Sequence, residues 1–525
     1  MKIGAPKEIE AGENRVAMTP DSAKALQKLG HECLIEAGAG ANAGFADADY
    51  EAAGVTVVAD GPALWAAADI VTKVNTPSDD ELGRLTSDKT LISFFNPGGN
   101  PERLEAAAKT GGTVVAMEAV PRISRAQKMD ALSSMANIAG YRAVIEAGNN
   151  FGRFFTGQVT AAGKVPPAKV LVVGAGVAGL AAIGTSTALG AITYAFDVRP
   201  EVAEQVESMG AEFVYLDFED DAADGASSGG YASVQSEEFR NAQLAKFREL
   251  APEMDIVITT ALIPNRPAPK LWLEDMVAMM KPGSVIVDLA APAGGNVEGT
   301  VKDEKIVTEN GVTIVGYTDF ASRMGAQASS LYATNIRHMM TDLTPEKDGV
   351  VVHDMEDDVI RGATVAHKGE VTYPPPPPKV QAIAAQKKEK PKELTPEEKR
   401  ALETAAFKKQ TTNQVILLAV GAVLVLGIGS IPGMPASFMQ HFIVFVLSVF
   451  IGFQVIWNVS HSLHTPLMAV TNAISSIIIL GALIQIGSTS MLITLLAALG
   501  IFMAAVNIFG GFLVTRRMLA MFQKS

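Results

Sequence analysis

The chain has almost no cysteine and, over its last fifth, almost no charge. Its single cysteine is Cys33, which excludes an internal disulfide framework and is typical of a reducing compartment. Because Cys33 lies in an apolar run that has the composition of a strand, we expect a buried, unreactive thiol. From Thr411 to Thr515 there is no Asp, Glu, Lys or Arg, which excludes an ordinary solvated domain in that region.

The charges that are present divide the chain in two. Five of the 43 Lys and Arg residues lie at or beyond Lys408, whereas none of the 56 Asp and Glu residues does. Residues 1–407 therefore carry a formal charge of −18, and the remainder carries +5. The acidic region has no basic patch, which argues against a nucleic-acid partner. Its N-terminus has no apolar run of signal-peptide length, so we expect it to stay in the cytoplasm.

Short apolar runs alternate with helical segments over residues 1–370, the pattern of α/β units around a parallel sheet. The runs form two series, which predict two Rossmann-like, doubly wound parallel-sheet domains. We assign residues 1–143 with 323–373 to the first domain and 144–322 to the second, with a helix over Gln327–Asp342 returning the chain to the first. The predicted strands lie near Ile3 and at Cys33–Glu36, Val55–Val58, Ile70–Val74, Leu91–Phe95, Val114–Met117, Val170–Val173, Thr193–Phe196, Phe213–Leu216, Ile256–Thr259, Val285–Asp288 and Thr313–Gly316.

A proline-rich and charged linker over residues 374–410 leads into a predicted transmembrane domain, residues 411–525. Four apolar runs there are each roughly 17–24 residues long, which is what a helix needs to cross the hydrocarbon of a lipid bilayer. We therefore predict a C-terminal bundle of four transmembrane helices. Basic residues flank the outer spans, which places both ends of this domain in the cytoplasm. The runs are Val415–Ile431, Phe438–Trp457, Leu467–Ile486 and Met491–Val514.

The predicted membrane domain is poor in groups that could carry protons. Its only ionisable candidates are His441, His461 and His464, which lie at or near the ends of spans, where an interfacial role is expected. Intramembrane proton pathways usually need buried ionisable side chains. If protons cross the bilayer, a partner chain is expected to supply those groups.

A glycine-rich turn follows the first strand of the second series. The sequence Gly174-Ala175-Gly176-Val177-Ala178-Gly179 has the Gly-x-Gly-x-x-Gly spacing and stands between a strand and a helix, as a dinucleotide site requires. The first glycine permits the tight turn, the second lets a diphosphate approach the helix N-terminus, and the third lets helix and strand pack closely. Asp197, at the end of the next strand, would accept hydrogen bonds from the adenosine ribose and repel a 2′-phosphate. NAD(H) is therefore favoured over NADP(H), although Arg199 weakens this discrimination.

Two other loops are ambiguous. The cluster Gly38–Gly44 also follows a strand but has no acidic residue at the matching distance, and we interpret it as a structural turn. Asp217–Glu238 has no apolar periodicity, and a loop of this length inside a compact domain is either a functional lid or an idle insertion. No set of metal ligands is predicted.

Several motifs resemble those of a known family. Residues 1–20, with Glu8 and Arg15, are similar to the N-terminus shared by alanine dehydrogenases and proton-translocating transhydrogenases. The run from Pro121 to Ser134, Pro-Arg-Ile-Ser-Arg-Ala-Gln-Lys-Met-Asp-Ala-Leu-Ser-Ser, resembles the transhydrogenases specifically. So do Asp197-Val198-Arg199-Pro, Thr260-Ala261-Leu-Ile-Pro-Asn, Asp288-Leu-Ala-Ala, Gly316-Tyr-Thr-Asp319 and, in the membrane region, the segment from Trp457 to Ser475.

That resemblance implies roles for residues that spacing alone does not assign. Arg122, Gln127, Asp130 and Ser133 would line the nicotinamide end of bound NAD(H), with Gln127 facing the partner nucleotide, and Tyr231 would close over the cofactor as a lid. Val198, Arg199 and Ala261 would join the cofactor site. NADP(H) would be bound by a membrane beta subunit, in an alpha2beta2 assembly at the bacterial inner membrane. A surface ion pair is the alternative for Arg122 and Asp130.

One position separates the two similar families. Alanine dehydrogenases share Arg15 and Lys73 but carry a catalytic histidine where this sequence has Asn96. Without an imidazole there is no general acid or base for reducing an imino acid, whereas direct hydride transfer between two nicotinamide rings requires only positioning. A transhydrogenase subunit is therefore expected, with a membrane-tethered amino-acid dehydrogenase and an NAD-sensing module as the alternatives.

Overall fold

A computed structural model describes residues 1–216, 236–262, 266–376, 436–457, 479–487 and 490–520. The chain forms two compact units, Met1–Lys387 and Lys388–Ser525.

An eight-stranded sheet combines strands from the beginning and from the end of the first unit. Its strands are β1 (Lys2–Ala5), β2 (Glu32–Glu36), β3 (Thr56–Val58), β4 (Ile70–Thr72), β5 (Thr90–Ser93), β6 (Thr113–Ala116), β16 (Thr364–His367) and β17 (Glu370–Val371). Their order in the sheet is β17-β16-β6-β5-β4-β1-β2-β3. Strands β1 to β6 are parallel, whereas β16 and β17 join antiparallel at one edge. The reversal of strand order at β1 and β4 is the doubly wound arrangement.

Helices cover both faces of this sheet, so two apolar cores form, one on each face. The strands are buried on both faces, which explains their near-continuous apolar sequences. The helices are α1 (Pro20–Gln27), α2 (Asp47–Ala52), α3 (Gly61–Ala67), α4 (Asp79–Leu82), α5 (Pro101–Lys109) and α12 (Asp358–Ala363). Thr19 caps α1 through a reciprocal bond with Ser22, as a capping box does.

A seven-stranded sheet organises the second half of the unit. Its strands are β9 (Lys169–Val173), β10 (Ile192–Phe196), β11 (Glu212–Phe213), β12 (Ile256–Thr259), β13 (Val285–Asp288), β14 (Lys305–Val307) and β15 (Thr313–Val315), and its helices are α7 (Val177–Ala188), α8 (Ala203–Ser208), α9 (Glu237–Leu250) and α10 (Glu274–Met279). The strand order is β11-β10-β9-β12-β13-β15-β14. All neighbours are parallel except the edge pair β14 and β15.

Two long helices connect the two sheets. Helix α6 (Ala131–Asn150) leads into the second sheet through a hairpin of β7 (Gln158–Thr160) and β8 (Gly163–Val165), and α11 (Gly325–Leu343) returns to the first. The predictions of two doubly wound domains and of the returning helix are confirmed. The hairpin and the antiparallel edge strands are not among the predicted elements. Each is two to four residues long, too short to show the apolar run or alternation that identifies a strand in sequence.

The second unit contains three described helices, α13 (Ala436–Trp457), α14 (Ile479–Gln485) and α15 (Met491–Ala520). Among the described residues, one helical segment, Met491–Leu513, is long and apolar enough to cross a membrane by length and composition. Helices α13, α14 and α15 overlap the second, third and fourth predicted spans. The first predicted span, most of the linker, His461 and His464 lie outside the described residues, so the number of four spans stays a prediction.

Candidate functional site

The glycine-rich turn joins β9 to α7 and leaves the N-terminus of that helix open. Gly174 has a φ of +101°, which favours glycine, and its N–H donates to the Phe196 carbonyl at 2.7 Å. At Gly179 an added Cβ would meet the Gly174 oxygen at 1.7 Å, whereas at Gly176 it would meet nothing within 4 Å. Gly176 is the N-cap residue of α7 and supplies no side-chain cap. Open space therefore faces the first amides of α7, as bound diphosphate would require.

Asp197 lies beside this turn at the end of β10, and donors from the chain itself occupy its carboxylate. Oδ2 accepts from the Ala175 amide at 2.8 Å and from Arg199 Nη2 at 3.0 Å. Oδ1 accepts from the amide and from Nε of Arg199, both at 2.9 Å. These hydrogen bonds raise the pKa of the Arg199 guanidinium. Because a carboxylate offers about four lone-pair positions, ribose hydroxyls would have to displace Arg199 to reach Asp197.

The loop after β12 forms the opposite wall of the site. Thr260 Oγ1 donates to the Gly174 carbonyl at 3.0 Å and so ties this loop to the glycine-rich turn. The amide and the carbonyl of Ala261 are both bonded to the buried Asn296, at 3.0 and 2.9 Å. The Ala261 amide is therefore occupied, and a cofactor would meet the methyl group of Ala261 or the second lone pair of its carbonyl. The side chain of Val198 packs against the apolar core on this side of the sheet.

A short 3-10 helix, Ser124–Met129, carries the motif assigned to the nicotinamide end. Gln127 is exposed on it, and Arg122 lies just before it. Asp130 caps α6, where it accepts from the Ser133 amide at 2.9 Å and from Ser133 Oγ at 2.6 Å. The Asp130 carboxylate therefore holds the Ser133 hydroxyl in a fixed position. Its recorded partner is Ser133, and not Arg122 as the alternative of a surface ion pair would require.

Helix α6 connects this motif to the glycine-rich turn. At Gly140 an added Cβ would meet the Ala178 carbonyl at 1.9 Å, so α6 and α7 touch backbone to backbone near the start of α7. Ten residues of helix separate Gly140 from Asp130, which corresponds to about 15 Å along the axis. The two predicted halves of the site thus lie on one pair of packed helices, at separate points. Tyr231, the predicted lid residue, lies outside the described residues.

A second cluster of charges lies at the carboxyl edge of the first sheet. Lys73, fully buried, donates to Glu81 at 2.7 Å and lies 3.4 Å from Glu8. Arg15 forms two bonds with Glu13, at 2.8 and 2.6 Å. Arg15 and Lys73, the two cations on which the resemblance to alanine dehydrogenases rests, are therefore both paired with carboxylates of this chain.

Asn96 is the residue at which the resemblance to alanine dehydrogenases predicts a histidine in those enzymes. Its φ of +52° is left-handed, a conformation that asparagine tolerates better than most residues. The amides of Phe95 and Asn96 donate to Glu118, and burial raises the pKa of the Glu118 carboxyl. These hydrogen bonds hold Asn96 in a tight turn, where its side chain offers an amide and no imidazole.

Comparison with known proteins decides between the two similar families. The profiles described as alanine dehydrogenase/PNT, N-terminal domain and C-terminal domain match residues 4–139 and 143–374, and the 4TM region of pyridine nucleotide transhydrogenase matches 441–524. The chain is 74% identical to the NAD(P) transhydrogenase subunit alpha of Cereibacter sphaeroides, over 100% of both chains. The chain belongs to the NAD(P) transhydrogenase alpha-subunit family.

Two further transhydrogenases match about 71% of this alpha subunit. A Rhodospirillum rubrum chain, named as the first portion of an NAD(P) transhydrogenase subunit alpha, is 44% identical over 71% of this chain and 98% of its own. A solved transhydrogenase from Sinorhizobium meliloti is 40% identical, covers 71% of this chain and 99% of its own, and superposes with a TM-score of 0.61. Each of these two chains matches this alpha subunit over nearly its own whole length.

Several residues that hold the site together are not among those predicted from the sequence. Asn296 and Gly140 are buried and carry no motif of their own. The segment around Gln127 is also fixed from below by Asp357, Asp342 and Asn335. More than 200 residues separate each of these partners from the segment, so no local pattern could have indicated the contacts.

Proposed function

We propose that this alpha subunit binds NAD(H) and transfers hydride from NADH to NADP+ held by a beta subunit, coupled to proton movement across the bacterial inner membrane. The observation that carries the proposal is the open N-terminus of α7 beside Gly176, linked through α6 to the exposed Gln127. Family membership supports the reaction, and the 4TM region supports attachment to a membrane.

The cofactor's diphosphate would lie against the first amides of α7. Helix N-termini attract anions because their amides lack partners and the helix dipole is positive there. Asp197 would read the adenosine ribose once Arg199 swings away from it, and Val198 and Ala261 would line the adenine and ribose with apolar groups. Tyr231 would close over the bound cofactor.

NADH supplies the hydride when it is bound, and the chain's own residues orient it. Arg122 would contact the diphosphate or the carboxamide, and the Asp130–Ser133 pair would hold the carboxamide end of the ring. Gln127, exposed on its short 3-10 helix, would set the approach of the partner's nicotinamide. Such a transfer needs near-contact geometry and no protein acid or base.

The charge cluster argues against the amino-acid dehydrogenase alternative. A substrate carboxylate would have to displace Glu13 from Arg15, or Glu8 and Glu81 from Lys73. Each displacement would leave a buried carboxylate of this chain without its cation, which is unfavourable. Asn96 would then offer no proton. An NAD-sensing module remains the non-enzymatic alternative, and the absence of NADP+ reduction by the assembled complex would favour it.

The membrane region would anchor the chain in the inner membrane with four spans and with both ends of that region in the cytoplasm. We propose the domain limits 1–143 with 323–373, 144–322, 374–410 and 411–525, and an alpha2beta2 assembly. Proton-carrying groups would come from the beta subunit.

Cofactor selectivity tests the site. A fragment of residues 1–380, similar in extent to the shorter Rhodospirillum rubrum chain, should bind NADH more tightly than NADPH in a calorimetric titration. Asp197→Ala should weaken NADH binding more than NADPH binding. Arg199→Ala, the matched variant, should increase the preference for NADH, because it removes a cation from the ribose position. Equal wild-type affinities for the two reduced nucleotides would refute the assignment.

A further inference from the structure

The 3-10 helix that carries Gln127, Ser124–Met129, is held by charged and polar bonds to helix α11 and to the start of α12. Its apolar residues Ile123, Ala126 and Met129 are buried in the core of the first domain. This places Gln127 on the outer side of the 3-10 helix. Those anchors fix the depth of the segment. Its tilt depends on the contacts at either side, since a three-residue apolar stripe does not prevent rolling about its own axis.

Asp357 makes the shortest of these lateral contacts. Both of its carboxylate oxygens accept hydrogen bonds from Nη2 of Arg125. Arg125 lies two residues before Gln127 in the sequence. Although burial opposes it, hydrogen bonding to Arg125 and to the amides of Ile360 and Val359 holds the pKa of Asp357 below its usual value. The same pairing raises the pKa of Arg125. Asp357 is therefore charged at neutral pH.

Two contacts from α11 support the other end of the segment. Asn335 donates to the Lys128 carbonyl at 3.0 Å. Asp342 lies 3.4 Å from the Lys128 ammonium and 3.9 Å from the Arg125 guanidinium. Together with Asp357, these groups hold Arg125 and Lys128, which lie before and after Gln127 in the sequence.

Packing does not duplicate these bonds next to Arg125. A cavity of about 370 Å³ borders Arg125, Asp342, Asp357 and Ile360, so no close-packed apolar layer fixes the guanidinium there. Helix α12 otherwise touches the segment at its start, where a Cβ on Gly362 would come within 3.0 Å of Pro121. With Pro121 held at one point and Arg125 at another, α12 serves as a platform for the segment.

We propose that Asp357 is a positioning residue for hydride transfer: its bonds to Arg125 set the height and tilt of Gln127 at the contact with the partner nucleotide. The inference rests on the proposed function of Gln127. Asp357 lies beneath the segment, and it acts through the segment's backbone. A displacement on the order of 1 Å at a reacting centre can lower a rate by about 100-fold. Because the Arg125–Asp357 ion pair is partly exposed, we expect its loss to displace Gln127 by less than that and to slow transfer less.

Asp357→Asn tests this without removing the cap of α12, because asparagine is as good an N-cap as aspartate. In the assembled complex of this chain with its beta subunit, we expect single-turnover reduction of NADP+ by NADH to slow about fivefold. That fall corresponds to about 1 kcal/mol at 1.36 kcal/mol per tenfold. The affinity for NADH should change by less than about twofold, a split that a merely structural role would not produce. Asp354→Asn is the matched control, since Asp354 lines the same cavity but accepts from the Glu356 amide, and it should transfer hydride at the wild-type rate.

Two comparisons keep the inference falsifiable. Arg125→Gln should slow transfer at least as much as Asp357→Asn, since it also removes the contact with Asp342, and the double variant should be no slower than Arg125→Gln, because the Arg125–Asp357 bonds are already lost in that variant. A wild-type rate for Asp357→Asn beside a slow Gln127→Asn would overturn the positioning role and leave the role of Gln127 intact. A wild-type complex that transfers no hydride from NADH to NADP+ would refute the proposed function, and this inference with it.

Discussion

Gly179→Ala is expected to destabilise the nucleotide-binding domain and to weaken NADH binding together. The added Cβ would lie 1.7 Å from the Gly174 oxygen, whereas real contacts begin near 3.0 Å, so the turn and α7 must separate by about 1.3 Å. The neighbouring atoms are backbone and cannot rotate away. The Gly174 amide is also bonded to Phe196, which resists the shift.

The magnitude follows from two opposing terms. Overpacking of this kind costs about 1–3 kcal/mol, and more where backbone must move, whereas alanine gains about 1 kcal/mol over glycine inside a helix. We expect a net loss of about 2 kcal/mol. At about 2–4 °C per kcal/mol for a domain of this size, the unfolding midpoint should fall by about 4–8 °C. A turn displaced by more than about 1 Å should also bind NADH at least about tenfold more weakly, because the α7 amides no longer converge on the diphosphate.

Gly176→Ala supplies the matched control for that prediction. Its Cβ would meet nothing within 4 Å, so the unfolding midpoint should stay within about 1 °C of wild type. The Cβ would enter the space assigned to the diphosphate, so NADH affinity should still fall. Differential scanning calorimetry and NADH titration of the fragment of residues 1–380 measure both quantities. If Gly179→Ala keeps the wild-type midpoint and affinity, the close approach of turn and helix does not govern either property.

Two further predictions concern pH and topology. Burial, with the charges of His367 and Lys368, lowers the pKa of His353 to about 4, so this histidine is neutral in the fold. Stability should therefore decline as the pH falls from about 6.5 to 4, where the unfolded chain alone binds the proton. At about 1.4 kcal/mol per pH unit and about 2–4 °C per kcal/mol, the wild-type midpoint should fall by up to about 7–14 °C more than that of His353→Gln over that range, and equal slopes would contradict the burial argument. Tags at the two ends of the chain should both be protected in right-side-out vesicles and both be cleaved in inverted ones, whereas opposite accessibility would require an odd number of spans.

The elements that can be predicted from sequence are those whose signals are local. Strand β9 and helix α7 are indicated by four consecutive buried apolar residues followed by glycines at fixed spacing. The carboxyl edge of each parallel sheet is expected to gather the loops that bind ligands. The position of Asp197 at the end of β10, next to the glycine-rich turn, also follows from its distance along the chain.

What could not be predicted depends on contacts between distant segments of the chain. Arg199 turns back onto Asp197 and occupies the oxygens assigned to ribose, a geometry that a spacing of two residues permits but does not require. The Asn296 contact with Ala261 and the Asp357 contact with Arg125 join segments 35 and 232 residues apart. No local pattern indicates those partners, because each is a common polar residue in an ordinary local sequence.

The most direct test of the central claim is hydride transfer by the isolated chain and by the assembled complex. The purified alpha subunit alone should bind NADH but should oxidise it neither with NADP+ nor with keto acids and ammonium, because it offers one predicted dinucleotide site and Asn96 in place of a catalytic histidine. Adding the NADP(H)-binding beta subunit should restore NADP+ reduction. In that complex Gln127→Asn should slow single-turnover transfer by about tenfold, with NADH affinity changed by less than about twofold. Turnover of an amino acid or a keto acid by the isolated chain, or failure of the complex to reduce NADP+, would contradict the claim.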